Sequence, residues 1–358
     1  MKIWQIPLYP FTLLYTGLSN FRNHLYNIGY KKSFSFEVKV LSVGNLTVGG
    51  TGKTPHIEYL IRLLENDYRL ATLSRGYGRQ TRGFILANEQ ATARRIGDEP
   101  MQFYRKFGTR VSVAVGEERA LAIPSILMEK PDTELILLDD AFQHRPIRPH
   151  LNILLNDYHR PFYEDYPFPA GRLRESRYGA RRADIVVVTK APPDLDAARR
   201  AGIIRKLSRY TRQDTPVFFS SIRYGMPQWA GSREDATQPP NHFSDRPVLL
   251  FAGIANLRPL ENYVRENFQL AGVLSFGDHH AYTAQSIKKI RQKMQSLASQ
   301  APVLLTTEKD FVKLSDPALG SSQHNLPLYY LPMEVYFPQD TGKFAQMVRN
   351  RLLKIGFT

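Results

Sequence analysis

Residues 40 to 55 read Val-Leu-Ser-Val-Gly-Asn-Leu-Thr-Val-Gly-Gly-Thr-Gly-Lys-Thr-Pro. An apolar run feeds a glycine-rich turn ending in Gly52-Lys53-Thr54, and Ile57, Leu60, Ile61 and Leu64 follow at helical spacing. Such a turn cradles phosphate. Glycine lets backbone N–H groups point inward, and the helix N-terminus adds positive field. Thr47, Val48, Gly49, Gly50, Thr51, Gly52, Lys53 and Thr54 are therefore the expected nucleotide-binding loop. Lys53 would reach the β- and γ-phosphates and Thr54 would hold Mg2+. Thr47 stands where the usual pattern has its first glycine.

Four aliphatic residues, 135–138, end in Asp139 and Asp140. An Asp at the carboxyl end of a parallel strand faces the ligand crevice. In a P-loop protein the Mg2+-associated acid sits there. Two further carboxylates, Asp98 and Glu99, lie in Gly97-Asp98-Glu99-Pro100; read alone, this is a helix start. Asp278-His279-His280 follows a predicted strand. With no cysteine and no third spaced ligand it is a poor metal site, and a histidine beside a carboxylate suits a general base.

Arginines crowd residues 172–182, with Arg172, Arg174, Arg177, Arg181 and Arg182. Guanidinium forks match phosphate, although a solvated face is the ordinary fate of any single arginine. Thr189-Lys190-Ala191-Pro192 resembles a guanine-specificity motif with Pro192 at its Asp position. Thr306-Thr307-Glu308-Lys309-Asp310 is a similar run far downstream. GTP is thus unsupported, and ATP with Mg2+ is the expected pair.

The elements that must position these groups are legible. Apolar runs at 38–43, 69–74, 111–115, 135–139, 151–155, 184–189 and 216–220 alternate with helical patterns. Continuous Val/Ile/Leu runs mark parallel strands buried on both faces, so the class is α/β with a doubly wound, P-loop NTPase-type sheet. Polar and Pro-rich residues 222–246 read as a linker. Runs at 248–251, 272–276, 303–306 and 328–331, with helical stretches near 283–298 and 341–353, predict a second, smaller α/β domain. The expected division is 1–35, 36–221, 222–246 and 247–358.

The chain has 358 residues, 42% hydrophobic and 23% charged, ordinary for a globular protein of two domains. With no cysteine it has no disulfide and no thiol nucleophile. The net charge of +15 suits nucleic acid, anionic lipid or an acidic substrate. The N-terminus chooses among these. Residues 1–36 hold no acidic residue, while Lys2, Arg22, Lys31 and Lys32 are basic. Phe11, Leu14, Tyr15, Leu18, Phe21 and Leu25 share a helical stripe, with Thr12, Thr16, Ser19, Asn23 and Asn27 mostly opposite. Trp4, Tyr9, Tyr26 and Tyr30 add amphipathic rings. This is the pattern of an amphipathic helix on an anionic membrane surface, too interrupted to span and unlike a signal peptide. No nucleic-acid motif is present, and no obligate protein partner is evident.

Taken together, the motifs resemble one family, tetraacyldisaccharide 4′-kinase, the lipid A 4′-kinase of bacteria with an outer membrane. The matching segments are 42–55, 74–79, 97–100, 139–144, 169–175, 276–282 and 306–310, in family order. Thr47 is normal in that family. Ala141 replaces its usual Gly and Arg172 its frequent Pro. The resemblance implies transfer of the ATP γ-phosphate to the 4′-hydroxyl of an acylated glucosamine disaccharide 1-phosphate, at the cytoplasmic face of the inner membrane. It makes Asp98 the base that takes the hydroxyl proton, with His279 as its partner from across the interdomain cleft. Lys53 and Arg174 would stabilise the transferring phosphate. Thr54 and Asp140, with Glu99 or Asp139, would hold Mg2+, and Asn45, Tyr77, Arg119, Gln143 and His144 would line the acceptor site. The competing reading is a P-loop ATPase or GTPase module on a membrane or nucleic acid.

Overall fold

The structure is a computed structural model that describes residues 5–230, 243, 246–278, 280–316, 319 and 326–353. Its first half runs α1 (Tyr9–Asn27), β1 (Lys39–Asn45), α2 (Lys53–Leu64), β2 (Leu70–Ser74), β3 (Ile85–Leu86), α3 (Ala93–Ile96), α4 (Asp98–Phe107), β4 (Val111–Val115), α5 (Arg119–Glu129) and β5 (Leu135–Asp139). Then come β6 (Leu151–Asp157), β7 (Ile185–Thr189), α6 (Ala197–Ser208), β8 (Val217–Phe219), β9 (Ser221–Tyr224) and β10 (Gln228–Trp229). The remainder is β11 (Val248–Ala252), α7 (Arg258–Asn267), β12 (Leu270–Ser275), α8 (Ala284–Gln295), β13 (Val303–Thr307), α9 (Glu308–Leu314), β14 (Leu328–Leu331), β15 (Met333–Tyr336) and α10 (Thr341–Leu353).

The apolar runs are strands because both of their faces are covered. An eight-stranded sheet has the order β3-β4-β2-β5-β1-β6-β7-β8, parallel except for the edge pair β3–β4. Helices α2, α4 and α10 cover one face, through residues such as Ile57, Ile61, Phe103, Phe344 and Val348. On the other face Ile123 and Ile126 of α5 pack against Leu73, Ile136 and Leu138. Strand β1 is central, between β5 and β6. The loops leaving β1 and β5 therefore open side by side at the carboxyl ends of the strands, where α/β sheets bind ligands.

A five-stranded sheet, β10-β14-β13-β11-β12, forms a second layer with α8 and α9 on one side and α7 on the other. Two stretches depart from the sequence expectation. Residues 222–229, inside the stretch 222–246 read as linker, pair with later strands, β9 with β15 and β10 with β14. Helix α10 returns to the larger sheet, where Phe337 stacks on Phe344 at 4.2 Å. Local patterning predicts an amphipathic helix but cannot say which sheet it covers.

Helices α4 and α9 join the two layers. Lys106 bonds both Glu58 of α2, at 2.7 Å, and Glu308 of α9, at 2.6 Å. The Arg105 guanidinium lies 4.7 Å over the Phe311 ring.

Helix α1 is turned the other way from a core helix. Its Thr12 is buried, whereas Phe11, Leu14, Leu18 and Phe21 are 61–64% exposed. The polar side faces the protein. Thr12 Oγ1 accepts from the Ala170 N–H at 3.0 Å and Asn23 donates to Glu175 at 2.9 Å. No described helix is long and apolar enough to cross a membrane.

Candidate active site

The phosphate loop is held open by glycine. Gly49 has φ 119° and Gly52, which caps α2, has φ 82°, a region that costs side-chain residues energy. A Cβ on Gly49 or Gly50 would meet nothing within 4 Å, so the loop borders open space. Its outer edge is fixed by the arginine-rich segment: the Val48 N–H donates to Arg172 O at 2.9 Å and the Arg174 N–H to Leu46 O at 2.8 Å. Lys190 holds its inner side, donating to Gly50 O and, at 2.6 Å, to Asp157. Beneath it, buried His56 of α2 contacts Gly52 O at 2.6 Å and Ser220 Oγ at 2.9 Å. Burial is the main cause that pushes this imidazole down to about 4, so it is neutral at pH 7.

The adjacent loop leaves β5. Asp140 has φ 49°, and its carboxylate accepts from Arg174 Nη1 at 2.9 and 3.0 Å with Lys53 Nζ at 3.8 Å. Burial pushes this carboxyl up, but the two cations outweigh it and the net direction is down. Asp139, fully buried, goes the other way, up to about 7, from burial first and then the neighbouring Asp140 charge. One of its oxygens has no hydrogen-bond partner. The two carboxyls thus differ by environment, one ionised and paired, one poised to ionise when a cation arrives. Arg119 lies behind them, buried, donating to the Asp139 carbonyl at 3.4 Å.

The N-terminus of α4 lies near this pair, for the Glu99 charge acts on Asp139. Asp98 Oδ2 lies 3.2 Å from Lys313 Nζ, and Glu99 Oε1 is 2.9 Å from Lys309 Nζ. Both lysines come from α9 of the second layer. Lys313 also donates to the His280 carbonyl at 3.2 Å, which ties the loop after β12 to Asp98. His279, the expected partner of Asp98, lies outside the described residues.

The expected acceptor-site residues divide. Gln143 bridges, donating to Asn45 O at 2.8 Å and Glu175 at 3.1 Å. Asn45 Oδ1 and His144 Nε2 are buried without a partner. Burial, then the Arg119, Arg22 and Arg75 charges, push His144 down to about 4. Tyr77 is 71% exposed, beside Gly97 at the α4 cap.

Sequence reasoning missed Glu175, Lys190, Lys309 and Lys313 as site residues. Glu175 is buried and gathers Asn23, Gln143 and Arg182. It and the two α9 lysines lie inside the quoted segments or just after them, but spacing gave no hint of what they touch. Lys190 carried a signal, a Thr-Lys pair after a strand, that pointed toward base recognition rather than loop support.

The donor set fits a magnesium nucleotide. The loop offers open space, Lys53 and an unpartnered buried Thr51 hydroxyl, and Asp139 has an orphaned oxygen. Among the described residues no group of three or more His, Cys, Asp or Glu could hold a metal by itself. A cation here would share phosphate and water ligands, as Mg2+ usually does. Fold and site together define an α/β nucleotide-binding protein of the P-loop class, built for phosphoryl transfer.

The sequence makes the assignment finer. The family profile of tetraacyldisaccharide-1-P 4′-kinase (LpxK) matches residues 4–353, and the chain belongs to that family. It is 42% identical over 350 residues to a tetraacyldisaccharide 4′-kinase of Bacteroides thetaiotaomicron, covering 95% of this chain and 91% of that one. A Flavobacterium psychrophilum protein of the same name is 41% identical, with 98% and 97% covered. The crystal structure of Aquifex aeolicus LpxK in complex with ATP superposes with a TM-score of 0.73 at 28% identity, covering 98% of this chain and 100% of that one.

Proposed function

We propose that the protein transfers the γ-phosphate of ATP to the 4′-hydroxyl of an acylated glucosamine disaccharide 1-phosphate, a step of lipid A synthesis. The observation that carries this reading, beside family membership, is the meeting of Lys53, Asp140 and Arg174 at the mouth of the phosphate loop, with Asp98 next to Glu99, whose charge acts on Asp139. The alternative of an ATPase or GTPase module is not favoured.

Phosphoryl transfer asks the protein mainly for alignment and charge neutralisation. Lys53 and Arg174 sit where charge on the transferring group would be met by fixed cations. Thr54 and Asp140, with Asp139 or Glu99, would hold Mg2+, which would supply neutralisation of phosphate charge. Asp98 takes the proton of the sugar hydroxyl, with His279 as its partner. A positioned base of this kind contributes about 10^2–10^4-fold. Asn45, Gln143, His144 and Tyr77 line the acceptor side, and buried Arg119 supports the acidic pair from behind. The reaction joins two lobes divided near residues 222–246.

The exposed apolar stripe of α1 supports peripheral binding to an anionic membrane at its cytoplasmic face. Each such side chain removed from water contributes roughly 1.5–3 kcal/mol. The acceptor's acyl chains stay in the same bilayer.

A labelled-ATP assay with the acylated disaccharide 1-phosphate in detergent micelles tests the reaction. Mg2+-dependent transfer is expected, and its absence with folded, ATP-binding protein sinks the reading. For the membrane, Leu14→Ser/Leu18→Ser should lower vesicle association; unchanged association removes that part.

A further inference from the structure

Three cations converge on one aromatic ring at the base of α1. The Arg22 and Arg145 guanidinium carbons lie 5.7 and 5.3 Å from the Tyr26 ring centre, and Lys31 Nζ lies at 5.9 Å. None of the three forms an ion pair with a carboxylate among the described residues. Nearby Arg182 is different, because Glu175 neutralises it at 2.6 Å. Burial, then the charges of Arg182 and Arg22, hold the Arg145 guanidinium below its usual range, with Glu175 opposing. Like charges gathered this closely raise one another's free energy unless an anion joins them. The π-density of one ring offsets only part of that repulsion.

The cluster is built rather than accidental. Arg145 is pinned on both sides of the loop it occupies. Its Nη2 donates to Asn27 Oδ1 at 2.9 Å, and its carbonyl accepts from Ser33 Oγ at 2.7 Å. Arg22 Nη2 donates to the Gln143 carbonyl at 3.3 Å. The Gln143 side chain in turn accepts from Arg174 at 3.5 Å, and Arg174 grips Asp140. One residue therefore separates the cluster from the phosphoryl-transfer groups. On its other side runs the exposed apolar stripe of α1.

We infer that Arg22, Lys31 and Arg145 form the subsite for the 1-phosphate of the acceptor lipid. The inference rests on the proposed reaction and adds to it which residues read the far end of the disaccharide. An acceptor with its acyl chains against α1 and its 4′-hydroxyl at Asp98 and Arg174 carries its second anion toward this cluster. Guanidinium groups suit it, since they bind phosphate through paired N–H donors. The same cations would also attract a phospholipid headgroup, so the test must separate the two.

The test compares kcat/KM for the acylated disaccharide with and without its 1-phosphate, using the full chain in neutral detergent micelles. The wild type should prefer the phosphorylated acceptor. In Arg22→Gln/Arg145→Gln the preference should fall at least tenfold, and Arg145→Lys should retain most of it. ATP affinity measured by calorimetry reports folding, and solvent-facing Lys31→Gln carries the same comparison if the double variant does not fold. A wild type without preference, or an unchanged ratio in the variants, overturns the inference even if both rates fall. An unchanged ratio, with the variants losing more binding to phosphatidylglycerol than to phosphatidylcholine vesicles relative to the wild type, assigns the cluster to bilayer headgroups instead. A wild type that phosphorylates neither acceptor defeats the proposed reaction rather than the subsite.

Discussion

Lys313 Nζ, from helix α9, lies 3.2 Å from Asp98 Oδ2 at the start of α4, and the Lys313 side chain is 7% exposed. The same ammonium donates to the His280 carbonyl at 3.2 Å. One lysine thus joins the proposed base to the loop that carries its expected partner. Replacing it by Met leaves Asp98 beside Glu99 with one local cation fewer. Lys313→Met should lower kcat by ten- to a hundredfold, about 1.4–2.7 kcal/mol in the barrier, while the KM for ATP changes little. Lys313→Arg should restore part of kcat. Equal losses in kcat and ATP affinity would mean that Lys313 serves only folding.

Arg174 grips Asp140 through one nitrogen and runs past the phosphate loop, where its own N–H bonds Leu46. Arg174→Ala keeps the backbone bond and removes the cation. Turnover should fall by roughly 10^2–10^3, the usual cost of one preorganised donor. Nucleotide binding followed by calorimetry should weaken far less. A drop confined to ATP affinity would place Arg174 in ground-state binding instead.

Lys106 stands between two carboxylates, Glu58 at 1% and Glu308 at 11% side-chain exposure. Burial first, then the Glu58 charge, raises Glu308, which Lys106 opposes. Removing the cation strands two buried like charges, a change that typically costs about 3–5 kcal/mol. Lys106→Met should lose stability on that scale in urea unfolding. Glu58→Gln/Lys106→Met/Glu308→Gln should recover much of it. If the triple variant is no more stable than Lys106→Met, the loss comes from packing, not stranded charge.

His56 gives a pH signature. Its folded value of about 4 lies below the ordinary 6.5 because burial excludes the charged ring. Between those two values the unfolded chain binds more protons, so stability is full above pH 6.5 and falls as pH drops toward 4. The total is up to about 3 kcal/mol at 1.36 kcal/mol per unit. His56→Gln should be less stable at pH 7 and should lose less between pH 7 and 4.5. Identical pH slopes for the two proteins in denaturant titrations would refute the assignment.

Much of the architecture was legible. Strand β1, the glycine turn and the start of α2 follow from an apolar run, residues able to take positive φ, and helical spacing, all local properties. The paired aspartates were legible for the same reason: a strand rich in aliphatics that ends in carboxylates places them at the carboxyl end of β5. What stayed hidden was partner choice. Nothing local distinguishes Asp139, buried and pushed up to about 7, from Asp140, which cations pull down. Burial first of all lifts Asp139, whereas Asp140 alone is gripped by Arg174, which lies elsewhere in the chain. A helix over α1 was expected from its spacing, but only the fold shows Thr12 and Asn23 on residues 170–175 and Phe11, Leu14, Leu18 and Phe21 outward.

By itself, then, the sequence determined the class of fold and the strand, glycine-rich turn and helix that follow one another from residue 39 to 64, because these depend on neighbours within a few residues. Tertiary structure alone decided that α10 closes the larger sheet and that α9 delivers Lys309 and Lys313 to the carboxylates of α4. It also decided that Arg22 and Arg145 meet over Tyr26. Those relationships join residues more than a hundred positions apart. They are set by how buried faces pack and how charges are paired in space, which no local pattern records.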